Sequence, residues 1–513
     1  MNCPRALRLL TAFASAFLLC FPALAEESTL PAKKGPPPKL PALELPIPES
    51  TFKQTERHWT GIYVNDVKSG WGVDTMGPAT VEGKSCVSVT QDMTLEMKAF
   101  GSSMKMDTVS RKHYLVEPPC RAFLVEEVQK MNGQERRVVL RHKEGTTYSV
   151  EITEAGKTRT DELKNLDLRL CQETTPVVWS TDPARKPGDT FGSVDFSSET
   201  LTNSDVTATI LKAADWAGPG GKVPVWEMSA YSHGEKVEAT IRVSRTDGTI
   251  VNALLAQSIE LREEPEKVAK FMPGGEQPDL FLALSISTDR KLGNSTALTE
   301  LTVELSAPAG KQVPDLPDTV NQTVERKPDG SLVIKIKPGG GKPQPASEAD
   351  RAEALKATFR YPIGEESIKK LAEKAVAGAT GERSKVEKIL RYTDFYIRDS
   401  LDSEPLTVMD LIKSRKGDCS AHALLFTNLA RAAGIPAREA GGWMYMGNEY
   451  KSFGGHAWNE VILDGHWVPV DPIWTEMSLD AGHIQQSSGE SEGSSLQSMV
   501  TGMRAKVVSF KKK

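Results

Sequence analysis

The chain has 513 residues, room for two to four domains with ample cores, and its 39% hydrophobic and 26% charged content is that of a globular protein. Its 63 basic and 68 acidic side chains nearly balance at a formal charge of −5, and nothing in them points to nucleic acid. Beyond the first 25 residues no stretch is long and apolar enough to cross a bilayer, so no transmembrane helix is expected in the mature chain.

Residues 1–25 read as a secretory signal. Arg5 and Arg8 form a basic start, Leu9 to Phe21 an apolar core, and Ala23-Leu24-Ala25 a small-residue cleavage site. Export to a periplasm or the exterior is the expectation. Removing the signal lowers the formal charge to about −7 and leaves Cys86, Cys120, Cys171 and Cys419. An oxidising compartment would allow one disulfide among the first three.

Seven prolines in residues 26–50 predict an extended linker. From 51 to 270 short alternating runs, such as Tyr148 to Ile152 and Glu238 to Val243, are broken by turns such as Asn132-Gly133 and Asp247-Gly248. That pattern predicts an antiparallel β-rich domain. Met93, Met97, Met104 and Met106 read as strand-core filler, because no Cys or His joins them at regular spacing. Residues 271–337 are a further β-rich segment, with Leu298 to Leu305 and Ser331 to Ile336 its clearest runs. Lys337-Pro338-Gly339-Gly340-Gly341 opens a breaker, and 338–350 reads as a linker before a domain over 351–485. Glu366 to Ala377 and Arg383 to Ile397 are helical patterns, and the Ser- and Gly-rich tail 486–513 reads as disordered.

Cys419 opens a third helix. Asp418 is a good N-cap, Ala421, Leu424, Leu425, Asn428, Leu429 and Ala432 form one apolar stripe, and Gly434 with Pro436 ends the run. A helix N-terminus beside an imidazole lowers a thiol from its ordinary value of about 8.5, and first-turn amides, that of Cys419 among them, can hold an oxyanion. By itself a cysteine there is no more than a small buried residue.

The hairpin that follows changes the reading. Trp458 to Leu463 and His466 to Val470 flank Asp464-Gly465, the dipeptide of a type I′ turn, so Leu463 faces His466 and Trp458 faces Asp471. His456 shares the face of Trp458 and becomes the diagonal neighbour of Asp471, roughly 7–8 Å away at the backbone. Cys419, His456 and Asp471 then make a nucleophile, its base and the group that orients the base, with Asp418 and Trp458 in support. His422 reads as structural, lying behind the site. His466 and His483 fall in no metal-ligand constellation, and neither a metal nor a cofactor is expected.

These segments, Lys416-Gly417-Asp418-Cys419, Gly455-His456-Ala457-Trp458-Asn459-Glu460-Val461 and Val470-Asp471-Pro472, resemble the transglutaminase-like superfamily over roughly residues 360–485. The resemblance implies a papain-like core, a helix carrying the Cys packed on an antiparallel sheet carrying the His and Asp, within an α+β multidomain chain. It also implies acyl transfer through a Cys thioester on protein or peptide amide bonds. Hydrolysis is expected ahead of cross-linking by protein-glutamine amine transfer, because water needs no acceptor site. The reading from another class is a non-catalytic scaffold whose β-rich region engages an envelope protein.

Overall fold

The computed structural model describes residues 37–513 except 100–101, 132, 155, 198–200, 219–220, 234–236, 256–258, 274–284, 359, 401–406, 489–499 and 501. The signal-like segment 1–25 lies outside the described residues. The chain divides into two compact units, with the break between residues 278 and 279.

The first unit is β-rich, as the alternating runs predict. Eight strands from Glu56–Val64 to Lys157–Leu163 form one meander, and six from Thr190–Ser197 to Ile259–Glu263 form another. The first and last of these strands pair antiparallel, Thr60 with Glu263 and Val64 with Ile259, which joins the meanders into one fourteen-stranded sheet. Burial alternates where one face meets the core: Tyr148, Val150 and Ile152 are buried between more exposed neighbours. The four methionines Met93, Met97, Met104 and Met106 are buried in this core.

The helix Leu170–Ser180 touches both meanders. The Tyr114 hydroxyl bonds Glu173 in the first, and in the second Trp226 Nε1 donates to the Ser180 carbonyl at 2.9 Å. Of the proline-rich segment, residues 37–48 are extended but not free. Leu43 N–H donates to Gly192 O, Leu45 N–H to Thr175 Oγ1, and Glu44 pairs with Arg169. Gly192 permits this approach, because a Cβ there would stand 2.6 Å from two carbonyl oxygens of the segment. Cys86, Cys120 and Cys171 are free thiols, so the disulfide that an oxidising compartment would allow is not formed.

The second unit carries the Cys419 helix. Its sheet runs in the order Gln322–Arg326, Leu332–Ile336, Leu298–Ser306, Arg504–Lys512, Ile286–Thr288, Ser452–Leu463, Ala437–Tyr445, His483–Ser488, with His466–Val470 paired to the far half of Ser452–Leu463. One apolar core spans it, including Leu301, Val303, Ile334, Trp443, Phe453, Ile484 and Val507. The segment 271–337, read as separate, therefore supplies four strands to the sheet that bears the site.

Two other expectations are corrected here. The tail is not disordered throughout, since Arg504–Lys512 pairs with Leu298–Ser306 on one side and Ile286–Thr288 on the other, burying Ala505 and Val507. The Gly/Pro stretch 338–350 is stitched down rather than left as a linker. Gly341 N–H donates to Val320 O, Trp467 N–H to Gln344 O, and Ala346 N–H to Gly465 O.

The helices fall where their periodicity puts them, at Glu366–Ala375, Glu382–Tyr396 and Cys419–Ala432. Gly434, at φ +78°, ends the last of these, and Ile435 N–H reaches back to Ala430 O. All residues from Ser420 to Arg431 are buried rather than one stripe alone, because helices cover one side of this helix and the sheet the other. Asn459, on the strand Ser452–Leu463, fixes the helix to the sheet by donating to Ala423 O and Thr427 Oγ1.

Candidate active site

Asp418 caps the Cys419 helix as its sequence demands. Its carboxylate accepts from Ser420 N–H at 2.9 Å and Ala421 N–H at 3.2 Å. The cap takes those two amides of the first turn. Cys419 is half-buried, packed with Ala423 and Ala457, and its sulfur meets the backbone N–H of Ala457, the residue after His456. His422 Nδ1 donates to the Asp418 carbonyl at 2.8 Å, which is the structural role expected of it.

The hairpin has the register that its turn dictates. Asp464 and Gly465 both have positive φ, 52° and 76°, as a type I′ turn requires, and Leu463 faces His466 and Asn459 faces Val470. There the ladder stops. Asp471 does not sit opposite Trp458; it exchanges both backbone hydrogen bonds with Glu476, closing a tight loop over Pro472–Thr475. That turn aims its carboxylate into the site, where Oδ1 accepts from Ile473 N–H at 2.8 Å and Oδ2 accepts from His456 Nε2 at 2.7 Å. With Nε2 committed to Asp471, Nδ1 of His456 is the nitrogen left to serve a thiol. Trp458 is fully buried, its ring centroid 5.9 Å from that of His456.

His483, assigned no role from residue types and spacing, is the residue missed. It enters from the strand His483–Ser488 and is buried with its Nδ1 3.0 Å from Asp480 Oδ1 and its Nε2 3.5 Å from Asp471 Oδ2. Its only trace in the sequence is the acid three residues earlier. His456, Asp471 and His483 each offer a ligand atom within 4.8 Å of the others, a donor set of the kind zinc takes. Two atoms bound tetrahedrally to one zinc at ~2.0–2.1 Å would stand about 3.3 Å apart. The His456–Asp471 separation of 2.7 Å is a hydrogen-bond length, so the pair as built holds a proton and does not fit an ion between them.

Charge in this cluster is unevenly placed. Burial opposes ionisation of Asp471, but His456 and then His483 outweigh it and hold the carboxyl well below its ordinary range. Burial also opposes charge on His483, yet Asp471 and Asp480 on either side raise it to about 10. Glu476, desolvated and near Asp480, is pushed up to about 7. The thiol does not follow its expectation: burial, then the Asp418 carboxylate, push Cys419 up, against the opposing Ala457 N–H.

A cysteine on the first turn of a helix, packed on a sheet that presents a hydrogen-bonded His–Asp pair, defines a papain-like domain within a multidomain α+β chain. Residues 369–472 match the transglutaminase-like superfamily, and this part of the chain is a transglutaminase-like domain. Kyphoscoliosis peptidase of Mus musculus is 30% identical over 84 residues, and that of Homo sapiens 31%. Each match covers 15% of this chain and only 13% of the relative's length. Among solved structures, a candidate cysteine protease from Cytophaga hutchinsonii is 17% identical over 42% of this chain and 85% of its own, with a TM-score of 0.26. A β-barrel-like protein from Brucella abortus, of a domain family of unknown function, is 11% identical over 40% of this chain and 94% of its own, with a TM-score of 0.29.

Proposed function

We propose that this protein is a thiol enzyme that cleaves amide bonds in protein or peptide through a Cys419 thioester. The observation that carries the reading is the buried 2.7 Å hydrogen bond from His456 Nε2 to Asp471, beside a cysteine at a capped helix start. As an acyl carbon approaches, His456 Nδ1 takes the thiol proton and Sγ bonds the carbon, while the Cys419 amide meets the developing oxyanion. The C–N bond then breaks, and the amine leaves with the proton that His456 returns. Water, deprotonated by His456, attacks the thioester, releasing a carboxylic acid and restoring the thiol.

Hydrolysis is favoured over amine transfer because a cross-linker must also seat an amine and keep water from the thioester. The peptidase name of the relatives supports the same choice. The signal-like residues 1–25 support export to a periplasm or the exterior, and among the described residues no helix is long and apolar enough to span a membrane. An envelope protein engaged through the β-rich unit would suit that location.

Replacing Asp471 by Asn tests the dyad. Turnover should fall by about 10³–10⁴-fold, because the amide presents the wrong partner to His456 Nε2, while near-ultraviolet circular dichroism stays native. Turnover within a few-fold of wild type would remove Asp471 from the reaction.

A further inference from the structure

Asp471 has two histidine neighbours, and the mechanism above uses one. On the first side His456 Nε2 donates at 2.7 Å; on the second, His483 Nε2 stands 3.5 Å from the same Oδ2 atom. His483 cannot swing away from that position. Its Nδ1 is held by Asp480 Oδ1, which also accepts from Gly482 N–H at 2.6 Å, and the Trp458 ring lies edge-on to the imidazole at a centroid distance of 5.5 Å. The His456 ring is 5.6 Å away on the near side. His483, Asp471 and Asp480 are all buried, so these contacts are made with little help from solvent. Nε2 of His483 is a buried polar atom with no hydrogen bond of its own, aimed at the carboxylate that orients the base.

We propose that His483, oriented by Asp480, is a positioning residue for the thiol reaction, holding the Asp471 carboxylate from behind in the orientation that His456 requires. The proposal rests on the thiol-enzyme reading of the same site. Asp480, His483, Asp471 and His456 form one buried chain of alternating acid and imidazole, and Cys419 packs against Ala457, the residue after His456. Other titratable groups face it sparingly: Glu476 reaches it from the loop that closes on Asp471, and its elevated value keeps much of it uncharged near neutrality.

A positive charge on the far side of Asp471 has a readable consequence. It offsets part of the negative charge that Asp471 presents to the thiol–imidazole pair and so makes the protonated forms of that pair easier to leave. His483→Gln keeps a donor in place and removes the charge. That variant should lose tenfold or more in kcat with KM within about twofold, and the rising limb of its pH–rate profile should move up by roughly one unit. Asp480→Asn should shift the limb the same way by less.

A residue that merely filled space would lower stability and leave the limb where it was. A folded His483→Gln protein with wild-type kcat and an unmoved limb would therefore overturn the positioning role. If that variant does not fold, Asp480→Asn decides on the same criterion. Nitrogen NMR of the intact protein reads the bridge without turnover: both His483 ring nitrogens should carry protons at pH 8, and a singly protonated ring at pH 7 would overturn the proposal. Absence of Cys419-dependent turnover in the wild-type protein would overturn the enzyme reading and the positioning role together. Turnover indifferent to His483 overturns the positioning role alone.

Discussion

Asp471 shows what one buried carboxylate must be given before it can work. It is wholly desolvated, and it stays ionised because two imidazoles and a backbone amide supply what water would have supplied. His483 depends on the same arrangement. Its value is raised to about 10 in the fold against about 6.5 for an ordinary histidine, so the folded protein holds this proton more tightly than the unfolded chain does. The stabilisation is fully present below about pH 6.5 and is lost as pH rises towards 10. Denaturant unfolding of the protein should thus show stability falling by on the order of a few kcal/mol across that interval, and His483→Gln should flatten the slope. An equally steep decline in the variant would place the titrating group elsewhere. The Asp418 cap and the start of the Cys419 helix were legible from residue types alone, since both rest on local rules. His483 was not, because a histidine on a separate strand acquires its meaning from what tertiary pairing brings beside it.

At the scale of elements, the strand Ala437–Tyr445 brings the site together. On one side Gly442 faces His456, and on the other it faces Gln485, next but one to His483. The register slips by one residue between Gly441 and Gly442, and a Cβ on Gly442 would stand 2.0 Å from the carbonyl oxygen of Ile484. Only glycine lets the His483 strand come this close. Gly442→Ala should push that strand outward, destabilising the protein by about 1–3 kcal/mol and slowing turnover more than its stability loss explains. A variant with native stability and rate would show that the backbone gives way without disturbing the site. The hairpin was readable because Asp-Gly fixes both turn type and register. Its end was not: the ladder yields at Asp471 to a loop closed with Glu476, and no pairing rule for the hairpin alone contains that competitor. The thiol was misjudged for a similar reason. Helix position and a nearby imidazole are local, while the burial and the Asp418 charge that push it up belong to the folded site.

Across the whole molecule, segments that look like punctuation turn out to be structure. The sequence divides itself at Gly/Pro stretches, but the compact units divide elsewhere, and residues 285–337 and the C-terminus join the sheet that bears the site. The strand Arg504–Lys512 was hidden by the Ser- and Gly-rich run before it and by its own charge. Its inward residues Ala505 and Val507 alternate with outward Arg504 and Lys506, a half-buried strand that composition alone reads as tail. Deleting residues 503–513 should remove an interior strand, expose the core around Leu301 and Val303, and leave a protein without a cooperative thermal transition of the second unit. A truncated protein that melts as the full chain does would contradict that placement.

In the proposed reaction Cys419 forms an acyl-enzyme which water resolves. The direct measurement is to incubate the protein and its Cys419→Ala variant with a glutamine-containing protein and a labelled primary amine, following peptide cleavage, ammonia release and label incorporation by mass spectrometry. Cleavage or deamidation that disappears in Cys419→Ala, with no incorporated label, is the expected result. Cys419-dependent incorporation would make the protein an amine transferase, and no Cys419-dependent change in any channel would overturn the thiol-enzyme reading in favour of a retained, non-catalytic fold.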